Sequence, residues 1–313
     1  MEVKQKEWKA WLYLAPTIVL LIIFTFYPIV NTFILSFLEN ARYGKGGLLH
    51  DGFTFNNYTT IFTATTGAGK LKFFDIYLKN TALVAVMSVP LSIIISLLIA
   101  VALNSIPKFQ KLLQTIFFLP YVTNTIAIGM VFAIMFDDRT GLVNTVISSL
   151  GGDPIKWLGS AVQDGLAPYF NSLMVLLIYT VWDSLPFKIL ILLSALQSID
   201  KQYYQAAQID GTSKARTLWR ITVPLLSPQI VYLMITSFIG AFKAYNSVIA
   251  IFGDLARPYG QMDSTMATIV WFIYDSIRQS ATGVASAGAV VLLIIIMIIT
   301  GIQSLASKKL VHY

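Results

Sequence analysis

Six stretches of this chain are each long and apolar enough to cross a bilayer as a helix, and they limit the fold more than any other feature does. A helix rises about 1.5 Å per residue, so roughly 20 apolar residues span about 30 Å of hydrocarbon. The runs at 10–38, 81–106, 112–136 and 284–307 contain no Lys, Arg, Asp or Glu. Those at 172–199 and 230–253 hold only Asp183 with Lys188, and Lys243. Of 313 residues, 56% are hydrophobic and 12% charged, where a soluble domain carries about 25% charged residues. A water-soluble fold of this length would be left with large apolar surface patches. The expected fold class is therefore all-α integral membrane, with six transmembrane helices.

Six crossings put both termini on one side. Lys4, Lys6 and Lys9 precede the first span, and Lys308 and Lys309 follow the last, which places residues 1–9 and 308–313 in the cytoplasm by the positive-inside rule. In that orientation the inner segments hold eleven Lys or Arg and four Asp or Glu, against nine and ten in the longer outer loops. The net charge of +7 is read as topology, because the basic residues form no face with interleaved aromatics. No nucleic-acid partner is expected. The first apolar stretch is too long for a signal-peptide core and ends in no small-residue cleavage pattern, so it is read as a retained span. Cysteine is absent, which excludes disulfides, thiol catalysis and zinc–cysteine sites. His50 and His312 are not spaced to share a metal. No catalytic residue, cofactor or metal site is expected.

Between the spans, residues 39–80 read as an outer loop with one short helix near Asn57–Phe62. Gly67-Ala68-Gly69-Lys70 imitates the end of a phosphate-binding loop, but Ala64 stands where the first glycine belongs and Leu71 where a Ser or Thr would hold magnesium. Asn57-Tyr58-Thr59 is a formal glycosylation triplet of a kind that occurs by chance. Pro107–Lys111 reads as a cytoplasmic turn. Residues 137–171 carry turn signals at Asp138-Arg139-Thr140-Gly141 and Gly151-Gly152-Asp153-Pro154, with Pro168 and Asn171 marking re-entry. The last three spans do not repeat the first three, which counts against the inverted symmetry of many secondary transporters.

Residues 200–228 are too polar to span and too patterned to be a linker. Asp200 is placed to cap a helix running through Gln208. Asp210-Gly211 breaks it, since glycine readily takes the left-handed conformation, and Thr212 or Ser213 caps a second helix to about Ile221. Pro224 and Pro228 close the element and start the fifth span. The expected product is a bracket parallel to the membrane, with Ala206 and Ala207 on one exposed surface and Lys214, Arg216 and Arg220 nearby.

Gln205-Ala206-Ala207, Gly211, Ile221, Val223 and Pro224 keep the spacing of a known signature. It is Glu-Ala-Ala, three residues, Gly, nine residues, Ile, one residue, Leu-Pro, and this loop resembles that of the binding-protein-dependent ABC importer permeases. Asp210 before the glycine is typical of their carbohydrate branch. Gln205 departs from the family glutamate, leaving an amide that hydrogen-bonds without charge. Leu14-Ala15-Pro16, Phe26-Tyr27-Pro28, Lys79-Asn80-Thr81, Phe118-Leu119-Pro120-Tyr121, Gly141-Leu142-Val143-Asn144, Trp157-Leu158 and Ala285-Ser286-Ala287-Gly288 are similar to the maltose and multiple-sugar permeases. Together they resemble the maltose-F-like member of a permease pair.

The resemblance implies a type I ABC importer permease with a cytoplasmic coupling helix between spans 4 and 5, in a bacterial inner membrane. It implies a second, nonidentical permease, two ATPase subunits that carry ATP and magnesium, an extracellular sugar-binding protein and a sugar substrate. Gln205, Ala206, Ala207, Asp210, Gly211, Ile221 and Pro224 would dock in the ATPase and switch the pathway between two global states. Intramembrane polar groups suggest the pathway itself. Asp183 and Lys188 lie five apart, a poor spacing for a direct pair. They either snorkel or pair with the other subunit, or they line the pathway. Phe242, Lys243, Tyr245 and Asn246 combine aromatic faces with hydrogen-bonding groups, as sugar sites do. Tyr121, Asn124 and Trp182 fit core packing or interfacial anchoring as well as a pathway. The alternatives are an ABC permease for another solute such as glycerol phosphate, and an ion-coupled secondary transporter with Asp183 and Lys188 as a charge relay.

Overall fold

The computed structural model describes residues 7–44, 46–65, 72–106, 108, 110–158, 169–253 and 266–307. The phosphate-loop imitation at Gly67–Lys70, the terminal lysines Lys4, Lys6, Lys308 and Lys309, and Pro107, Pro168 and His312 lie outside these. The described chain is mostly helical. In order it runs through α1 (Trp11–Leu35), β1 (Arg42–Gly44), β2 (Gly47–Leu49), α2 (Asn56–Thr63), α3 (Phe73–Asn104), α4 (Gln110–Val122) and α5 (Thr125–Met135). It continues with α6 (Leu142–Ser149), α7 (Tyr169–Ser198), α8 (Lys201–Ile209), α9 (Lys214–Leu225), α10 (Ser227–Phe242), α11 (Asn246–Phe252), α12 (Ile269–Arg278) and α13 (Thr282–Ser307).

Among the described residues, α1, α3, α7 and α13 are each long and apolar enough to cross a membrane alone. The pairs α4/α5, bent by 93°, and α9/α10, bent by 69°, raise the number from 4 to 6 if each pair is one span. Several sequence expectations change here. The run at 112–136 is not one straight helix but breaks at Thr123-Asn124, because Asn124 caps a new helix. The run at 230–253 breaks between Phe242 and Asn246. The second span begins at Phe73, inside the stretch read as loop, because its first turns carry Asp75 and Lys79 without ending the helix. The hairpin β1–β2 and the helix α6 were not expected.

By contacts the chain divides into two units, Met1–Ala64 with Phe272–Leu293, and Thr65–Trp271 with Ile294–Tyr313. In the first, α1 is exposed along almost its whole length. Beyond it, Glu39 N–H donates to Gly52 O at 2.9 Å, and the Phe37 ring sits 5.3 to 5.5 Å from those of Phe53, Phe55 and Tyr58. Buried Asn57 donates to Ser36 O at 2.9 Å and Leu38 O at 3.0 Å, so its amide is an interior strut. Gly283 lies against this corner: a Cβ there would stand 2.6 Å from Leu38 O and 2.8 Å from Asn57 Nδ2.

In the second unit, α3 packs along α7 and α10. Its buried face carries Ala85, Ser88, Ser92, Ser96 and Ala100, nearly one residue per turn, and such small side chains let helix backbones approach closely in a membrane. Near its N-terminus α3 anchors the segment that leads into α12. Asn80 Nδ2 donates to Ala267 O at 2.9 Å, Thr81 Oγ1 accepts from Ile269 N–H at 3.1 Å, and Tyr169 OH donates to Asn80 Oδ1 at 2.6 Å. The core gathers Val84, Leu173, Leu176, Tyr179, Val248, Met266 and Trp271. In the turn after α5, Asp137 Oδ1 accepts from Thr140 N–H at 2.8 Å. Hydrogen bonds from the Thr140 backbone, with lesser help from its hydroxyl, Arg139 N–H and the Arg139 charge, hold that carboxyl below its ordinary range.

Among the described glycines, the closest approach to another side chain is at Gly129 on α5, where a Cβ would fall 2.2 Å from Ala250 Cβ on α11. Gly129→Val is expected to destabilise the fold by about 1–3 kcal/mol through overpacking. Gly301→Ala, where a Cβ meets nothing within 4 Å, should be neutral or slightly stabilising. Thermal unfolding of the two variants in detergent measures the contrast.

Candidate functional site

The breaks at Thr123-Asn124 and between Phe242 and Asn246 open onto the same cavity. Where a helix stops inside hydrocarbon, its last carbonyls and first N–H groups need new partners. At the first break Asn124 Oδ1 accepts from Ile126 N–H at 2.9 Å and Ala127 N–H at 3.1 Å, and Tyr179 OH donates to Thr125 O at 2.7 Å. At the second, Thr268 Oγ1 donates to Ala244 O at 2.8 Å. These side chains hold the backbone open rather than letting it continue as helix.

The cavity measures about 540 Å³ and is lined by Tyr121 and Thr125 beside the first break and by Lys243 to Ser247 at the second. Ser88 of α3, Thr180, Asp183, Ser184 and Lys188 of α7, and Thr236 and Ser237 of α10 complete its polar wall. Thr180 Oγ1 is buried and has no hydrogen-bond partner among the described residues. Phe187 stacks on Tyr121 with ring centroids 6.1 Å apart, giving one side an aromatic face. A wall of hydroxyls, amide and aromatic rings suits a polyol, which presents alternating hydroxyl and C–H faces.

Of the pathway residues singled out in the sequence, Tyr121, Asp183, Lys243, Tyr245 and Asn246 meet at this cavity. Asn124, Trp182 and Phe242 are not part of its lining. Asn124 is spent on the helix cap, the Trp182 ring packs 5.3 Å from Phe132, and Phe242 is buried. Lys188 also lines the cavity and is buried, so it does not snorkel. Ser88, Thr180, Ser184, Thr236 and Ser237 were missed because single hydroxyls in an apolar run give no signal of which face they occupy.

The bracket at 200–226 is built by local capping. Asp200 Oδ1 accepts from Gln202 N–H at 2.9 Å and starts α8. The helix ends in a Schellman motif: Thr212 N–H donates to Ala207 O at 2.9 Å and Gly211 N–H to Gln208 O at 3.1 Å. Gly211 has φ of +62°, which L side chains rarely adopt. Ser213 then caps α9. Gln205, Ala206, Asp210 and Gly211 are exposed, with Tyr203, Ile209 and Trp219 beside them as exposed apolar groups. Ile209, at 86% exposure, is the most exposed of these three. Ala207 is buried, not on the exposed surface with Ala206, since neighbours on a helix point about 100° apart. Ile221 and Pro224 are half-buried in α9 and position the bracket from within.

A family profile described as "Binding-protein-dependent transport system inner membrane component" matches residues 98–312. The chain is 30% identical over 292 residues to a probable ABC transporter permease protein of Mycoplasma genitalium, covering 92% of this chain and 82% of that one. It is 29% identical over 293 residues to the arabinooligosaccharides transport system permease protein of Halalkalibacterium halodurans, covering 92% and 84%. Among solved structures, it is similar to a chain of a bacterial alginate ABC transporter in complex with an alginate pentasaccharide-bound periplasmic protein. The TM-score is 0.78 at 21% identity, covering 97% of this chain and 96% of that chain.

Removing either clamp on the first break should loosen it. Asn124→Ala is expected to cost about 1 kcal/mol as a lost helix cap, and Tyr179→Phe about 1 kcal/mol as a lost side-chain hydrogen bond to a half-buried carbonyl. Amide exchange at Thr125–Ile128 and thermal unfolding report both. In the bracket, Gly211→Ala is expected to cost about 1–2 kcal/mol by forcing a side chain into the left-handed region. Protease cleavage between α8 and α9 should become faster.

Proposed function

The chain belongs to the family of binding-protein-dependent transport system inner membrane components, and from that premise we propose that it is one of two nonidentical permeases of an ATP-driven carbohydrate importer. The observation that carries the reading is the polar, aromatic-sided cavity at the two helix breaks. Irregular backbone at membrane depth is tolerated where it is buried in protein or lines a water-filled space, and a translocation pathway is such a space. The arabinooligosaccharide relative and the alginate importer support a saccharide as the cargo. The periplasmic protein in the alginate complex supports delivery from outside by a binding protein.

On this reading the chain hydrolyses nothing itself. ATP and magnesium sit on two partner ATPase subunits beneath the bracket, and both termini are cytoplasmic. Exposed Gln205, Ala206, Ile209, Asp210 and Gly211 form the docking apex, while Ala207, Ile221 and Pro224 hold its shape. ATP-driven closure of the ATPase pair moves the bracket, and the rigid helices that follow carry the motion to the cavity. Sites and states are both distinct, as allosteric coupling requires.

The test is ATP hydrolysis by the reconstituted complex of this chain, the second permease, the ATPase pair and the binding protein across a panel of saccharides. Stimulation by a saccharide only when the binding protein is present is the expected result. Uptake that follows a proton or sodium gradient without ATP would replace this reading with secondary transport.

A further inference from the structure

The cavity wall contains a cation whose charge nothing in the described structure balances. Lys188 is only 4% exposed. Its ammonium donates to the hydroxyls of Ser92 and of Ser184, the latter at 3.2 Å. An ammonium has three donors, and both of these partners are neutral. Among the described residues no carboxylate lies within 4.0 Å of it. Asp183, the acid on the same wall, precedes it by five residues and so stands roughly 140° round the helix. A buried charge is costly unless an opposite charge meets it.

The cavity offers a place from which that charge can come. Lys188, Lys243 and Asp183 all line it, an excess of one positive charge among the lining side chains. Around them Ser88, Thr180, Ser237, Tyr121 and Asn246 supply the hydrogen-bonding groups a polyhydroxy compound needs. Thr180 Oγ1, buried and without a partner among the described residues, adds a second unfilled polar position on α7, two turns from Lys188.

We propose that the solute passing through this cavity is an anionic polyol, a saccharide or sugar alcohol bearing a carboxylate or phosphate, and that Lys188 selects for its charge. Ser92 and Ser184 act as positioning residues, pinning two of the ammonium's donors so that the third meets the solute. The inference rests on the reading of the cavity as a transport pathway, and it goes further by naming the charge of the cargo and the residue that reads it.

The experiment uses the full reconstituted complex, with solute-stimulated ATP hydrolysis as the readout. The probes are an oligouronate, glycerol 3-phosphate, and a neutral oligosaccharide matched in length to the oligouronate. One of the two anions is expected to stimulate at much lower concentration than the neutral sugar, and which one does so identifies carboxylate or phosphate. Lys188→Met should raise the half-stimulating concentration of that anion by about 30-fold or more and narrow the preference over the neutral sugar. Lys188→Arg should keep the preference. If Lys188→Met does not assemble, Lys188→Gln, which retains hydrogen bonding without charge, carries the same expectation. Stimulation by the neutral sugar at equal or lower concentration, or an anion preference unchanged by loss of the charge, overturns the inference and leaves the transport reading standing. No stimulation by any solute overturns both.

Discussion

In hydrocarbon every backbone donor and acceptor has to be satisfied within the protein or by enclosed water, and this constraint organises the whole chain. The long helices α1, α3, α7 and α13 meet most of it internally, except opposite the prolines Pro16, Pro28, Pro90 and Pro186, which lack the N–H. The two breaks meet it through a few side chains: Asn124 for the first N–H groups of α5, Tyr179 for Thr125 O, and Thr268 for Ala244 O. Tyr179 and Thr268 are themselves buried. The cavity lies where helix is given up, and its walls combine those freed chain ends with hydroxyls from the helices that pass by.

Packing around the cavity follows from residue size. The small side chains on α3 allow close contact with α7, and one of them, Ser92, receives the ammonium of Lys188 across that contact. An alanine at Ser92 would pack as well but would leave the lysine with fewer partners. The serine thus serves both the helix contact and the placement of charge. The bracket depends on another economy of side chain: Gly211 turns the chain so that Ile209 and Asp210 protrude, which a residue with a Cβ would do only under strain.

Local features were legible in the sequence, and contacts across long separations were not. Asp200, Gly211 and Ser213 announce the bracket because caps act within a few residues of themselves. The apolar runs announce helices, but their ends mislead. Charged Asp75 and Lys79 suggested loop, although a helix tolerates charge where it leaves the hydrocarbon. Thr123-Asn124-Thr125 held the signal for the first break, since Asn is a strong helix-capping residue, yet it was masked by the hydrophobicity around it. The second break contains neither glycine nor proline; only Lys243 hints at it. That Ala207 faces inward follows from helical period once α8 is accepted. The meeting of Lys188 with Ser92 could not be read, because nothing local links residues 96 positions apart.

Because the chain contains no cysteine, introduced thiols report directly on whether the cavity is the solute pathway. Ser237→Cys lies on the cavity wall and Ile298→Cys on an exposed apolar face of α13. Both would be treated, in the reconstituted complex, with a membrane-impermeant thiol reagent, with and without ATP and solute. Labelling at Ser237→Cys is expected to change with ATP and to be slowed by solute, with little labelling at Ile298→Cys. Equal labelling at the two positions, or none at Ser237→Cys in every state, would contradict the pathway reading.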